Sequence, residues 1–288
     1  MKKRAKIAIL VVFVAVVACW IGYIYSREMK PAIGILEVDG AIMGAELYLD
    51  RLKAFEEDDA IKAVLVRINS PGGVVGPSQE VYEEILKLRK KKPVIASMSA
   101  VGASGAYYIA CACDTIYAMP GTMTGSIGVI MEFIDVSSGL TKLGIKAGSI
   151  TSGKMKDAGT PFRPMSPEER EYFLAVVNDV QDQFVEAVSK SRKIPAEKVR
   201  SYADGRIYTG RQALKLGLVD KMGGLEDAIE LAKTKAGITG EPRIIRPKEE
   251  KGLFESLGRL LDGSVPGNSS SIGEMIKGRN IRLSYSMY

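Results

Sequence analysis

From Ile7 to Tyr25 the chain runs 19 residues without a charge, and no other feature limits its fold so strongly. At about 1.5 Å per helical residue this run measures roughly 30 Å, the thickness of a bilayer's hydrocarbon core. Lys2, Lys3, Arg4 and Lys6 precede it, and Trp20, Tyr23 and Tyr25 crowd its far end. That asymmetry predicts a single transmembrane helix with a cytoplasmic N-terminus and the body on the opposite, periplasmic or extracellular side of the inner (cytoplasmic) membrane. A cleaved signal peptide, or a lipid on Cys19 after Val16-Val17-Ala18, would place the body on the same side. Apolar sequence continuing past Cys19 to Tyr25 favours the uncleaved anchor.

No second run of spanning length follows. The reading is a basic segment 1–6, an anchor 7–25, a linker 26–32, a globular body 33–247 and a tail 248–288. The formal charge of +6 is concentrated at the start. Six of the 40 basic residues and one of the 34 acidic residues lie within 1–30, which leaves 34 and 33 in the remainder. A nearly neutral body argues against a nucleic-acid partner.

Composition also narrows the chemistry. With no histidine anywhere, the Ser-His-Asp triad, the Cys-His pair and histidine-based zinc sites are excluded. Three cysteines cannot form a complete disulfide framework, and Cys111 and Cys113 read as small buried hydrophobes. No metal and no cofactor are expected.

Within the body, Ile33 to Val38, Ala63 to Ile68 and Val94 to Met98 read as strands, and Ser78 to Lys90 and Ser104 to Cys113 as helices. This alternation predicts an α/β fold built from crossover units. Ser166-Pro167-Glu168-Glu169 is a helix start with Ser166 as cap, and the apolar spacing from Phe173 to Val188 carries the helix to about residue 190. In the tail, Leu283, Tyr285 and Met287 alternate as in a strand. They could dock on a neighbour, a membrane surface or the chain's own groove.

Val101-Gly102-Ala103-Ser104-Gly105-Ala106 joins a buried strand to a helix, where a serine hydroxyl can be presented with helix N-terminal amides behind it. Ser104 is the candidate nucleophile, although Ala106 stands where the G-x-S-x-G elbow has glycine. Earlier, Ser70-Pro71-Gly72-Gly73 ends a strand with glycines able to turn backbone N–H groups toward an anion. Without histidine, the bases left to activate a serine are carboxylates and a neutral lysine. Thr151 to Asp157, read as following a strand, offers Lys154 and Lys156.

These stretches carry a resemblance. SPGG at 70–73, GASGAYYIA at 102–110, TGSIGV at 124–129, SGKMKDAGTP at 152–161, ADGRIYTGRQA at 203–213 and GLVD at 217–220 together resemble the short form of the signal peptide peptidase A family, serine proteases of family S49. The resemblance implies a Clp protease/crotonase-like superhelix of repeated ββα units. It implies Ser104 as nucleophile, Lys156 as general base, Ser126 as the residue orienting that lysine, and the Gly73 and Gly105 amides as oxyanion hole. It further implies a homo-oligomeric ring whose adjacent protomers supply serine and lysine to one site. Substrates would be remnant signal peptides and other short hydrophobic peptides in or near the membrane. The lysine must be buried, away from Asp157, to stay neutral. A crotonase-type acyl-CoA hydratase or thioesterase, and a catalytically idle membrane scaffold, are the alternatives.

Overall fold

The first strand, β1 (Ala32–Asp39, AIGILEVD), is buried at every position from Ala32 to Leu36. A strand without a polar face must be covered on both sides, which is the situation of a parallel sheet between helices. The structure, a computed structural model, describes residues 30–246, the helical residues Phe13, Val14, Val16, Val17 and Trp20, and the pair Ser284–Tyr285. The rest of the expected anchor 7–25, Cys19 included, and most of the tail lie outside the described residues. Among those described, no helix is long and apolar enough to cross a membrane.

After β1 come α1 (Glu46–Glu57), β2 (Ile61–Ser70), β3 (Gly73–Val74), α2 (Val75–Leu88), β4 (Val94–Ala103), α3 (Gly105–Cys111), β5 (Thr115–Ala118) and β6 (Met123–Gly125). The chain continues through α4 (Ser137–Lys142), α5 (Pro167–Arg192), α6 (Ala196–Arg200), β7 (Ile207–Thr209), α7 (Gly210–Leu216), β8 (Lys221–Met222), α8 (Leu225–Lys235) and β9 (Arg243–Ile245). Near its end lies β10 (Ser284–Tyr285). The main sheet has the order β7-β6-β4-β2-β1-β9, with β5 on β4 and β8 on β5. Every pairing in it is parallel except β6 with β7. The expected α/β alternation is therefore present.

Strand β4 positions the site. Ile95–Ser97 pairs with Thr115–Tyr117 of β5, while Val101–Ala103 pairs with Met123–Gly125 of β6. One long strand thus divides the sheet and ends beside β6. On one face Leu36, Val66, Met98 and Ile109 share a core with Phe184 and Val188 of α5. On the other, Ile35, Leu65 and Ile95 pack against Ala228 and Ala232 of α8. Helix α3 is buried along its whole length; its Cys111 and the following Cys113 are free thiols, and burial pushes Cys111 up to about 12, far from reactive thiolate.

Helix α5 starts as its sequence requires. Ser166 accepts from the Glu169 N–H (3.2 Å) and Glu169 accepts from the Ser166 N–H (2.8 Å). It runs to Arg192 and stops where Lys193 turns left-handed. Only its second half is core. Val180, Phe184, Ala187 and Val188 are buried, whereas Phe173 lies outside the core and packs on Phe133.

The strand expected before Thr151 does not form: residues 144–151 have no regular structure, and Ile145 and Ile150 are exposed. Two isoleucines five apart supply apolar surface but no neighbouring edge to bond. The arm from about 131 to 163, which includes α4, also leaves Ile134, Val136, Leu143 and Phe162 exposed.

Candidate active site

Ser104 stands between β4 and α3 with φ +54° and ψ −122°, a conformation that only glycine adopts freely. Holding a serine there costs on the order of 1–3 kcal/mol, and such strain persists only where neighbours over-determine it. Its N–H donates to the Gly125 carbonyl (2.8 Å) and its own carbonyl accepts from the Tyr108 N–H (2.9 Å). The hydroxyl is buried and has no hydrogen-bond partner among the described residues. A hydroxyl is thus fixed at a helix start with its oxygen uncommitted among the described residues.

Ser126 mirrors it. It follows β6 as Ser104 follows β4, the register pairs Ala103 with Gly125, and its φ is +48°. The Ser126 N–H donates to the Arg206 carbonyl (2.9 Å), and the Gly205 N–H donates to the Ile127 carbonyl (3.0 Å). Two strained serines therefore end adjacent strands.

Gly73 lies in β3, against which α3 packs, so the elements carrying Gly73 and Gly105 meet. A Cβ on Gly73 would fall 2.1 Å from the Ile42 carbonyl oxygen, so no other residue fits. Gly72, at φ +103°, turns the chain into β3, and its N–H donates to Ser70 Oγ (3.1 Å). The far edge of β3 is taken: Ser284–Tyr285 pairs antiparallel to it, Tyr285 opposite Gly73, and β10 also packs against α3. Of the three destinations open to the tail, this segment occupies the chain's own groove.

Lys156 lies elsewhere, in a turn of the exposed arm, and is itself exposed. The burial expected of it is not present among the described residues, which place no apolar layer over this part of the arm. Its surroundings are nevertheless ordered by charge. Asp157, its sequence neighbour, accepts from Arg163 Nη2 (3.1 Å) and Ser149 Oγ (2.7 Å). Arg163 also donates to both Glu169 oxygens, and together with the Ser166 N–H it holds that carboxyl down at about 2. Lys154 pairs with Glu168 (2.5 Å). The nearest carboxylates in sequence are thus engaged by other partners.

A model of peptidase family S49 matches residues 86–239, and a Clp protease model matches residues 24–125. A "putative protease" of Synechocystis sp. is 43% identical over 216 residues, covering 74% of this chain and 78% of that protein. The chain belongs to peptidase family S49. A "putative signal peptide peptidase SppA" of Enterococcus faecium is 39% identical over 210 residues, 73% of this chain and 61% of the relative. The chloroplastic serine protease SPPA of Arabidopsis thaliana is 37% identical over 246 residues, 85% of this chain and 35% of that longer protein. This S49 protein is a serine protease of the signal peptide peptidase A type, which decides against acyl-CoA chemistry.

Sequence reasoning had no access to three parts of the site. The Gly125 carbonyl that locks Ser104 and the edge pairing of Ser284 are backbone events set by register. Gln181, on α5, reaches the Ser126 turn from 54 residues away, and nothing in its helical spacing marks it.

Proposed function

We propose that this chain is a membrane-anchored endopeptidase with a Ser104–Lys156 dyad, cleaving remnant signal peptides and other short hydrophobic peptides in or beside the cytoplasmic membrane. The N-terminus faces the cytoplasm and the catalytic body the opposite side. The observation that carries this reading is the buried, unpartnered Ser104 hydroxyl held in a strained turn at the start of α3.

Lys156 arrives from the adjacent protomer of a ring. Its exposure in one chain, on an arm rich in exposed apolar side chains, supports completion by a second copy. Covered by that copy, the amine is desolvated and loses its proton more readily. Neutral Lys156 Nζ takes the Ser104 proton while Oγ attacks the peptide carbonyl carbon. The Gly73 and Gly105 N–H groups receive the oxyanion, and Ser126 orients the amine. Collapse breaks the C–N bond, and the lysine ammonium protonates the leaving nitrogen. Water then gives its proton to Lys156 and its hydroxide to the acyl carbon, releasing acid and free Ser104. A peptide substrate lies antiparallel along β3, the edge that Ser284–Tyr285 occupies here.

The test is hydrolysis of a hydrophobic signal-peptide segment by the full chain in detergent. Ser104→Ala and Lys156→Met should each be inactive, and a mixed assembly of the two should recover part of the rate. Full hydrolysis by Lys156→Met would overturn the dyad, and a verified mixed ring without recovery would overturn the shared site.

A further inference from the structure

Beside Ser126 lies a cavity of about 600 Å³ whose lining includes Gly128, Ile130, Gln181, Asp204 and Arg206. The Ser126 turn is clamped there by the loop 203–206 through the Ser126–Arg206 and Gly205–Ile127 backbone bonds already described. A single side chain from α5 ties both halves of that clamp. Gln181 Nε2 donates to the Ala203 carbonyl (2.8 Å) and, at 3.5 Å, to the Ile127 carbonyl. With the nitrogen committed to two acceptors, the amide orientation is fixed and Oε1 is an acceptor. That oxygen is buried and accepts no hydrogen bond among the described residues. An amide oxygen left so is destabilising unless a donor reaches it.

We propose that Gln181 is a positioning residue of the proteolytic site: its Nε2 holds the Ser126 turn in place, and its Oε1 is the second acceptor, beside Ser126, for the Lys156 amine of the neighbouring copy. This rests on the dyad reading above. A lysine nitrogen carries two N–H donors when neutral and three when charged, more than one serine oxygen can accept. The charged groups lining the cavity are Asp204 and Arg206, which bond each other (Arg206 Nε to Asp204 Oδ1, 2.7 Å). On the neighbouring faces of α5 and α6, Asp182 is paired with Arg200. No free carboxylate among these described residues competes for the amine.

The experiment compares wild type, Gln181→Met and Gln181→Glu in detergent, measuring kcat and KM for a signal-peptide segment across pH, with Tm recorded for each. A carbonyl acceptor favours the lysine cation, so its removal in Gln181→Met should move the rise of kcat with pH to lower pH. The carboxylate of Gln181→Glu should move that rise to higher pH. Plateau kcat of Gln181→Met should fall about tenfold, the size of one lost hydrogen bond, with KM within about twofold. A purely structural role would lower kcat or Tm and leave the rise where it was; that result in both variants overturns the inference, and if the Met variant does not fold, the Glu variant decides. Lys156→Met is run alongside. If it stays active, the dyad and this inference fall together; if it is dead while both Gln181 profiles match wild type, only the inference fails.

Discussion

The Ser104 N–H and the Gly125 carbonyl meet at 2.8 Å, so the turn that presents the candidate nucleophile is bonded to the residue immediately before Ser126. Each of these two serine turns is locally unfavourable; the Ser104 turn is held by the Gly125 carbonyl, and the Ser126 turn by the Arg206 carbonyl. Strands β4 and β6 bring them side by side because β4 pairs with β5 along its first half and with β6 along its second. The division of the sheet is therefore what makes room for a two-serine site.

Ser104→Gly should be inactive yet no less stable than wild type. Glycine adopts φ +54° without strain and removes a buried hydroxyl that has no partner. A gain on the order of 1 kcal/mol is expected after the loss of unfolded-state restriction is subtracted. Chemical denaturation measures it. A clear loss of stability would mean that Ser104 makes native interactions beyond its backbone bonds.

Gly73→Ala should lose both activity and stability. The added methyl meets the Ile42 carbonyl oxygen, which itself accepts from the Val74 N–H (2.8 Å), so relief requires moving β3. A cost of about 2 kcal/mol or more fits such overpacking. Wild-type kcat/KM in a folded Gly73→Ala protein would separate β3 from catalysis.

The arm that carries Lys156 should loosen in acid. Glu169 has its carboxyl lowered from 4.5 to about 2 by Arg163 and the Ser166 N–H. Between those values the unfolded chain binds the proton and the folded one does not, so stability rises with pH there. The contribution is complete above about pH 4.5 and is lost as pH falls toward 2. Limited proteolysis of residues 149–163 at pH 6 and pH 3 should show faster cutting in acid for wild type. Glu169→Gln should cut fast at both, and equal acid sensitivity in the two would assign the change to other groups.

Removing residues 283–288 should lower KM for peptide with little change in kcat. Ser284–Tyr285 holds the β3 edge along which a substrate strand would bond. Steady-state kinetics of the full and shortened chains decide it, and an unchanged KM would mean that substrate binds by another route.

The sequence was legible where structure is set locally or by a covered face. The runs 33–38, 63–68 and 94–98 are buried strands, and Ser166 with Glu169 caps α5 through bonds three residues apart. Ser104 could be located because glycines on both sides allow a tight strand-to-helix turn. The strand expected before Thr151 failed because apolar residues imply burial without naming the surface that buries them, and no such surface lies among the described residues. For the same reason the desolvation of Lys156 could be required by chemistry but not found beside it. Gln181 was invisible because its importance lies in two carbonyls that only the packing of α5 brings near.

Position 104 keeps a serine in a backbone state that suits it poorly, and nothing about folding rewards that choice. In any descendant freed from cutting peptides, glycine is the substitution with least resistance there. A lineage that abandoned the trade should therefore record the fact at this one codon before the surrounding sheet shows any sign of it.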